Sequence, residues 1–202
     1  MMKLYYRAGA CSMATHIVLN ELGAAFDLER VDTQAGVTES GTDYKTINSR
    51  GYVPALILNN GETLTENAAI LQYLFDEYFG DKVDVTILRR ARLQEALSFL
   101  SSELHAAFRP LFAKRSIPES ELQHANTILR KRVGHFEDMI ADGREFVLGT
   151  AYTPVDAYAF VILNWTTVLD FPLDDWPKVK AFYERVKARP ATQKALAQEG
   201  LS

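Results

Sequence analysis

Apolar positions in the first 80 residues switch repeatedly between the alternation of strands and the 3.6-residue recurrence of helices. Lys3–Tyr6 (KLYY) reads as a short aromatic strand. From Ser12 the pattern turns helical, with Met13, Ile17, Val18 and Leu22 at helical spacing and Gly23 as a stop. Phe26–Asp32 (FDLERVD) reads as a second strand, and residues 33–42, rich in Gly, Thr and Ser, as loop. DYKTIN supplies one or two helical turns. Val53–Leu58 (VPALIL) is almost continuously apolar, as a strand covered on both faces should be. Asn59–Glu62 (NNGE) is a hairpin turn, Thr63–Thr65 a short return strand, and Glu66–Phe79 a helix. The order is β-α-β-α-β-β-α, with one parallel crossover pair and a closing antiparallel hairpin.

After Gly80 the pattern changes. GDKVDV is a polar connector, and the remainder of the chain is helical, near 86–113, 119–142, 154–169, 176–188 and 191–198. The shift sets a domain boundary near residues 80–86, giving an α/β domain over 1–80 and an all-α domain over 87–202. One helix start is sharply specified: Thr153 at the N-cap, Pro154 at the first helical position and Asp156 three residues after the cap form a capping box.

Composition narrows the function classes. The net charge is −4 and the pI about 5.6, so an overall basic footprint for nucleic acid is absent. The basic stretch Ile87–Arg92 (ILRRAR) reads as a solvated face or an ion-pair surface between subunits. No apolar run approaches the roughly 18 residues that cross a bilayer, and the N-terminus lacks a signal-peptide pattern. There is one cysteine, so no internal disulfide, which fits a cytoplasmic setting. No HExxH, CxxC or clustered His/Asp set occurs, so no metal is expected.

That cysteine, Cys11, lies between the first strand and first helix, in GACSMATH. A helix start favours negative charge, which lowers a thiol pKa and makes the reactive thiolate; Ser12 beside it can donate to the sulfur. The competing reading is a small packed hydrophobe. Val53-Pro54 opens the buried strand, and a cis bond there would leave the Val53 N–H and C=O ready to pair with an extended peptide; sequence does not fix the isomer. Thr65, Glu66 and Asn67 open a helix whose N–H groups can receive a carboxylate while Glu66 pairs with an ammonium, although a capped helix with acid in its first turn looks the same. Ser98, Ser102 and His105 form one polar stripe, either solvated or the wall of a site. His16 reads as structural, His124 and His135 as exposed, and Tyr5 and Tyr6 as core.

A Cys-Ser at a strand–helix turn, a VPAL strand opening, LTEN at a helix start and an all-helical second half resemble the glutathione S-transferase family over nearly the whole chain. KLYY-x-x-GACS-x-x-x-H, VPAL, ELHAAFRPLF and RPATQKALAQEGL resemble its bacterial beta class. The resemblance implies a thioredoxin-like N-terminal domain, a helical C-terminal domain and a homodimer. It implies glutathione as co-substrate, with Cys11 at the sulfur and Val53 pairing with the cysteinyl part. Pro54 matches the family's cis-proline, and Glu66 and Asn67 match the pair at the γ-glutamyl end. Ser98, Ser102 and His105 match positions that approach the ligand, His105 as base or hydrogen-bond partner. Two chemistries are implied: conjugation of glutathione to an electrophile in detoxification, and exchange through a Cys11 mixed disulfide. Phe108, Phe112 and Trp165 would line the electrophile's pocket, or else be core.

The chain departs from the pattern at Asn67, Ser98, Ala106 and Gly36, and the last two replace lysines. Arg7, Arg50, Lys114 and Arg115 are the candidate replacements for the lost cations. A non-catalytic binding or regulatory protein on the same fold is the alternative.

Overall fold

The computed structural model describes residues 1–79, 86–113 and 117–201. The chain divides into two compact units, Met1–Val85 with Lys187–Ser202, and Thr86–Val186. The expected polar connector at residues 80–85 lies outside the described residues.

In the first unit, β1 (Met2–Tyr6), α1 (Ser12–Glu21) and β2 (Phe26–Asp32) form a crossover in which β1 and β2 pair in parallel, Leu4 opposite Leu28. β4 (Ala55–Ile57) runs antiparallel to β1 and β5 (Thr63–Thr65) antiparallel to β4. A two-residue strand, β3 (Val37–Thr38), pairs with β2 where the sequence suggests only loop, and completes the sheet order β3-β2-β1-β4-β5. Both faces of β1 are covered, because Leu4 and Tyr5 are both buried. Tyr5 packs with Val31, Tyr44 and Ala55 in a small second core. Tyr44 comes from a 3₁₀ turn, Tyr44–Thr46, which is what DYKTIN becomes. The hydrophobic stripes of α1 (Met13, Ile17, Val18) and of α2 (Asn67–Phe79; Ile70, Leu74, Phe75) are fully buried, and the two helices pack together.

The last helix, α8 (Pro190–Gln198), packs on α1. The tail therefore belongs with the first unit, which the sequence boundary does not anticipate. Arg189 holds it with a two-pronged bond to Glu21, at 2.6 and 2.9 Å.

The second unit is helical: α3 (Ile87–Phe99), α4 (Ala106–Phe108), α5 (Glu119–Met139), α6 (Pro154–Val168) and α7 (Pro177–Lys187). α6 is its centre, with every side chain from Pro154 to Leu163 buried. Phe160 of α6 stacks on Tyr183 of α7, and Phe136 of α5 meets Phe182 of α7 edge-on. The capping box forms as expected: Asp156, fully buried, accepts from the Thr153 N–H at 2.7 Å and the Thr153 hydroxyl at 3.0 Å. Its other oxygen takes the Val147 N–H at 2.8 Å, which ties the preceding loop to the helix start.

The expected single helix over 86–113 is interrupted. Leu100–His105 is a π-helical turn between α3 and α4. Wider i→i+5 bonding here keeps Leu100 and Leu104 both fully buried and sets His105 off the regular helical register.

Candidate functional site

The Cys11 loop is held from several sides. Gly9 has φ of +70°, a left-handed turn that suits glycine. Its N–H donates to Glu199 Oε2 at 2.9 Å. The other Glu199 oxygen lies 2.9 Å from His16 Nδ1, and His16 Nε2 lies 2.9 Å from Gln198 Oε1. His16 is structural, as its sequence position suggests: its ring is fully buried and links α1 to the residues at the end of α8. Glu199 is a loop-holding residue that sequence reasoning missed, since nothing local in EGL marks a partner 183 positions away.

Cys11 is half-buried at the start of α1, with no side-chain cap of the helix. Its Sγ–H donates to the Val53 carbonyl at 3.4 Å. Burial pushes the thiol up from 9.0 to about 11. The N–H groups of Cys11 and Ser12 pull it down by less, and the Glu66 carboxylate adds to the rise. The expectation of a lowered thiol pKa is therefore corrected: desolvation outweighs the helix start. Ser12 does not serve the sulfur either. Its hydroxyl donates to the Arg7 carbonyl at 3.3 Å and accepts the Arg7 N–H at 3.2 Å.

Val53-Pro54 is cis. The strand expected from Val53 starts only at Ala55, since Pro54 has no N–H to give to a ladder. Among the described residues the Val53 N–H makes no hydrogen bond. The preceding carbonyl, of Tyr52, accepts from both the Tyr44 hydroxyl at 2.9 Å and Asn48 Nδ2 at 2.6 Å. These two buried side chains fix the peptide that leads into Val53, and the sequence holds no pattern for them beyond the 3₁₀ turn.

Glu66 stands just outside α2, not in its first turn as expected, with φ of +67°. An acidic residue in the left-handed region carries strain of about 1–3 kcal/mol, and such residues collect at ligand clamps. Its side chain is exposed and 3.3 Å from Arg50 Nη1. Asn67, the first residue of α2, is buried, with Oδ1 accepting from the Thr15 hydroxyl at 2.9 Å. Its Nδ2 has no partner. Turning the amide over only exchanges which atom is stranded, and an unmet buried polar atom costs about 1–3 kcal/mol unless a ligand meets it. Cys11, Val53, Pro54, Glu66 and Asn67 thus converge in the first unit, joined through the Cys11–Val53 and Thr15–Asn67 bonds.

The remaining candidates belong to the second unit. Ser98 and Ser102 are exposed, and the Ser102 hydroxyl donates to the Ser98 carbonyl at 2.8 Å. His105 is half-buried, with Nδ1 2.8 Å from the Tyr158 hydroxyl and its ring 4.7 Å from that of Trp165. Burial, and then the charge of Arg109, lowers its pKa from 6.5 to about 4. The ring is neutral at pH 7, which favours a hydrogen-bonding role over that of a base. Phe108 and Trp165 are core, whereas Phe112 is 43% exposed. Lys114 and Arg115 lie outside the described residues. Among the described residues no group of His, Cys, Asp or Glu assembles a metal site, and no helix is long and apolar enough to cross a membrane.

A parallel β-α-β crossover extended by an antiparallel hairpin, a Cys loop facing a cis-proline, and a separate helical unit define the class of protein. Comparison with known proteins gives the same answer. Residues 1–76 match the family model "Glutathione S-transferase, N-terminal domain", and residues 99–190 match "Glutathione S-transferase, C-terminal domain". The chain is 37% identical to Glutathione S-transferase GstA of Escherichia coli O157:H7, over 99% of this chain and all of that protein. The structure of a bacterial beta-class glutathione S-transferase from Sphingomonas chungbukensis is 40% identical, with a TM-score of 0.91 over 99% of this chain and all of that one. A sphingomonad glutathione S-transferase, solved in complex with glutathione, is 39% identical with a TM-score of 0.91 over the same shares. The chain belongs to the glutathione S-transferase family.

Proposed function

We propose that this chain binds glutathione along Val53 and transfers it to electrophiles. The observation that carries this reading is the Cys11 thiol held 3.4 Å from the carbonyl of Val53, whose own N–H is unpartnered among the described residues. A cysteinyl residue that pairs with the Val53 N–H and C=O as an added strand brings its sulfur to Cys11. The γ-glutamyl ammonium then meets Glu66, and its carboxylate meets the start of α2 and the stranded Asn67 amide.

With its raised pKa, Cys11 enters as a neutral S–H donor. Once the ligand N–H takes the Val53 carbonyl, the S–H turns to the glutathione sulfur and stabilises its thiolate. The thiolate attacks the electrophile's carbon, and the leaving group departs with its electron pair. The lone thiol beside the groove supports a second step on the same site. The Cys11 thiolate attacks oxidised glutathione, forms a mixed disulfide and releases one glutathione thiolate, so no further oxidant is needed. The homodimer, the cytoplasmic location and the detoxification role implied by the resemblance, with Ser98, Ser102 and His105 approaching the ligand, are part of this proposal.

Retention on immobilised glutathione together with turnover of chlorodinitrobenzene supports the proposal. Retention without turnover of any electrophile or disulfide instead fits the non-catalytic binder.

Two variants refine the assignment. Glu66→Gly removes the ammonium partner and relieves the left-handed strain. Its Tm should equal or exceed the parent's by a few degrees, at about 2–4 °C per kcal/mol, while glutathione binding weakens about tenfold or more. Unchanged affinity by calorimetry removes Glu66 from the ligand site. His105→Gln should lower kcat more than it raises the glutathione KM. Because the folded pKa is depressed, His105 costs the native state stability as pH falls from 6.5 towards 4, and His105→Gln flattens that part of the stability curve. A His105-dependent limb in the activity profile near neutral pH would contradict the neutral ring.

A further inference from the structure

The first unit carries a cation-lined groove that the motif residues do not account for. Its volume is about 530 Å³; Val53 and Ala10 border it beside the Cys11 loop, and Arg7, Lys45 and Arg50 line it. No carboxylate side chain lines it, in a chain of net charge −4. Glu66 and Asn67 do not line it either, so it extends from Val53 past the proposed γ-glutamyl site.

The three cations differ in how far they are committed. Among the described residues Lys45 has no ion pair; Asp43, its neighbour, accepts the Lys45 backbone N–H at 3.0 Å as the cap of the 3₁₀ turn. Arg7 makes one exposed bond, to the Thr33 hydroxyl at 3.4 Å. Arg50 is the partner of Glu66, at 3.3 Å with both side chains well exposed. Gly36 forms part of the same wall, in a left-handed turn (φ of +72°) with nothing within 4 Å of where a Cβ would stand. The space left by the missing lysine side chain at position 36 is thus ringed by cations from elsewhere in the chain.

On the glutathione reading above, we propose that Lys45 and Arg7, with Arg50 at the rim, form a carboxylate-reading subsite for the glycyl end of the tripeptide, replacing the cation absent at position 36. An extended ligand paired with Val53 has its two ends on opposite sides of that residue. With its γ-glutamyl end at Glu66 and Asn67, its glycyl end enters the groove. Lys45 and Arg7 meet the carboxylate there without first breaking an ion pair. The subsite selects by charge: a thiol that lacks the terminal carboxylate binds without its help.

Calorimetry with glutathione and with its glycyl monoethyl ester tests this on the full-length protein. The parent chain should bind glutathione about tenfold more tightly than the ester, a ratio equivalent to one charge-assisted hydrogen bond. Lys45→Ala with Arg7→Ala should bring that ratio to about one by weakening glutathione alone, and Lys45→Arg should retain it. Both side chains are exposed, so folding is not at stake. Equal affinities in the parent chain, or a ratio kept by the double variant, overturn the subsite and leave the glutathione reading intact. Absence of binding for both ligands overturns the two together.

Discussion

Native Cys11 should react with iodoacetamide at neutral pH at least about tenfold more slowly than the same thiol in the unfolded chain. Raising the thiol from 9.0 to about 11 cuts the thiolate fraction about a hundredfold. The more basic thiolate is the better nucleophile, which returns up to roughly tenfold of that loss. The half-buried position of the sulfur and its bond to the Val53 carbonyl restrict the reagent further and move the rate in the same direction. Since the folded pKa lies above the unfolded one, the neutral thiol contributes stability that is present below about pH 9 and lost as pH rises towards 11. Cys11→Ala should therefore hold its stability better than the parent chain over that alkaline window. A native alkylation rate equal to or above the unfolded one means that the helix start has won over burial, and the thiol then serves as a nucleophile and not as a donor.

Asp156→Ala should destabilise the chain by about 3–5 kcal/mol, a large share of the 5–15 kcal/mol that holds a folded protein together. The carboxylate is wholly buried and takes three bonds, from the Thr153 N–H, the Thr153 hydroxyl and the Val147 N–H. The alanine variant loses a helix cap worth about 1 kcal/mol. It also strands two backbone N–H groups in the interior, at about 1–3 kcal/mol each. The Tm should fall by roughly 6–20 °C. Asp156→Asn, which keeps an acceptor and loses the charge, should fall between the two. Thermal melts that separate Asp156→Ala from the parent by less than a couple of degrees would show that solvent or a rearranged loop satisfies those donors.

Much of this architecture is legible along the chain because it rests on local patterns. Met13, Ile17 and Val18 mark the buried face of α1, the Asn-Gly turn marks the β4–β5 hairpin, and Thr153–Pro154–Asp156 marks the start of α6. What escapes is tertiary. β3 is two residues long and exists only through pairing with β2. The π-helical turn at Leu100–His105 has no spacing of its own and depends on what the unit buries. Glu199 and the Tyr44–Asn48 pair act on the site across sequence distance or through a single carbonyl. The positions of Cys11, Val53, Glu66 and Asn67 can be read from motifs, but the protonation of the thiol cannot. Its pKa depends on how deeply the fold sinks the sulfur, and a rule about helix starts carries no information on depth.

A crystal soaked with glutathione tests the central claim most directly. The account predicts the tripeptide's cysteinyl backbone paired with the N–H and C=O of Val53, its sulfur within hydrogen-bonding reach of Cys11 Sγ, and its α-amino group on Glu66 in place of Arg50. A tripeptide bound elsewhere, with Cys11 still donating only to the Val53 carbonyl, would contradict it.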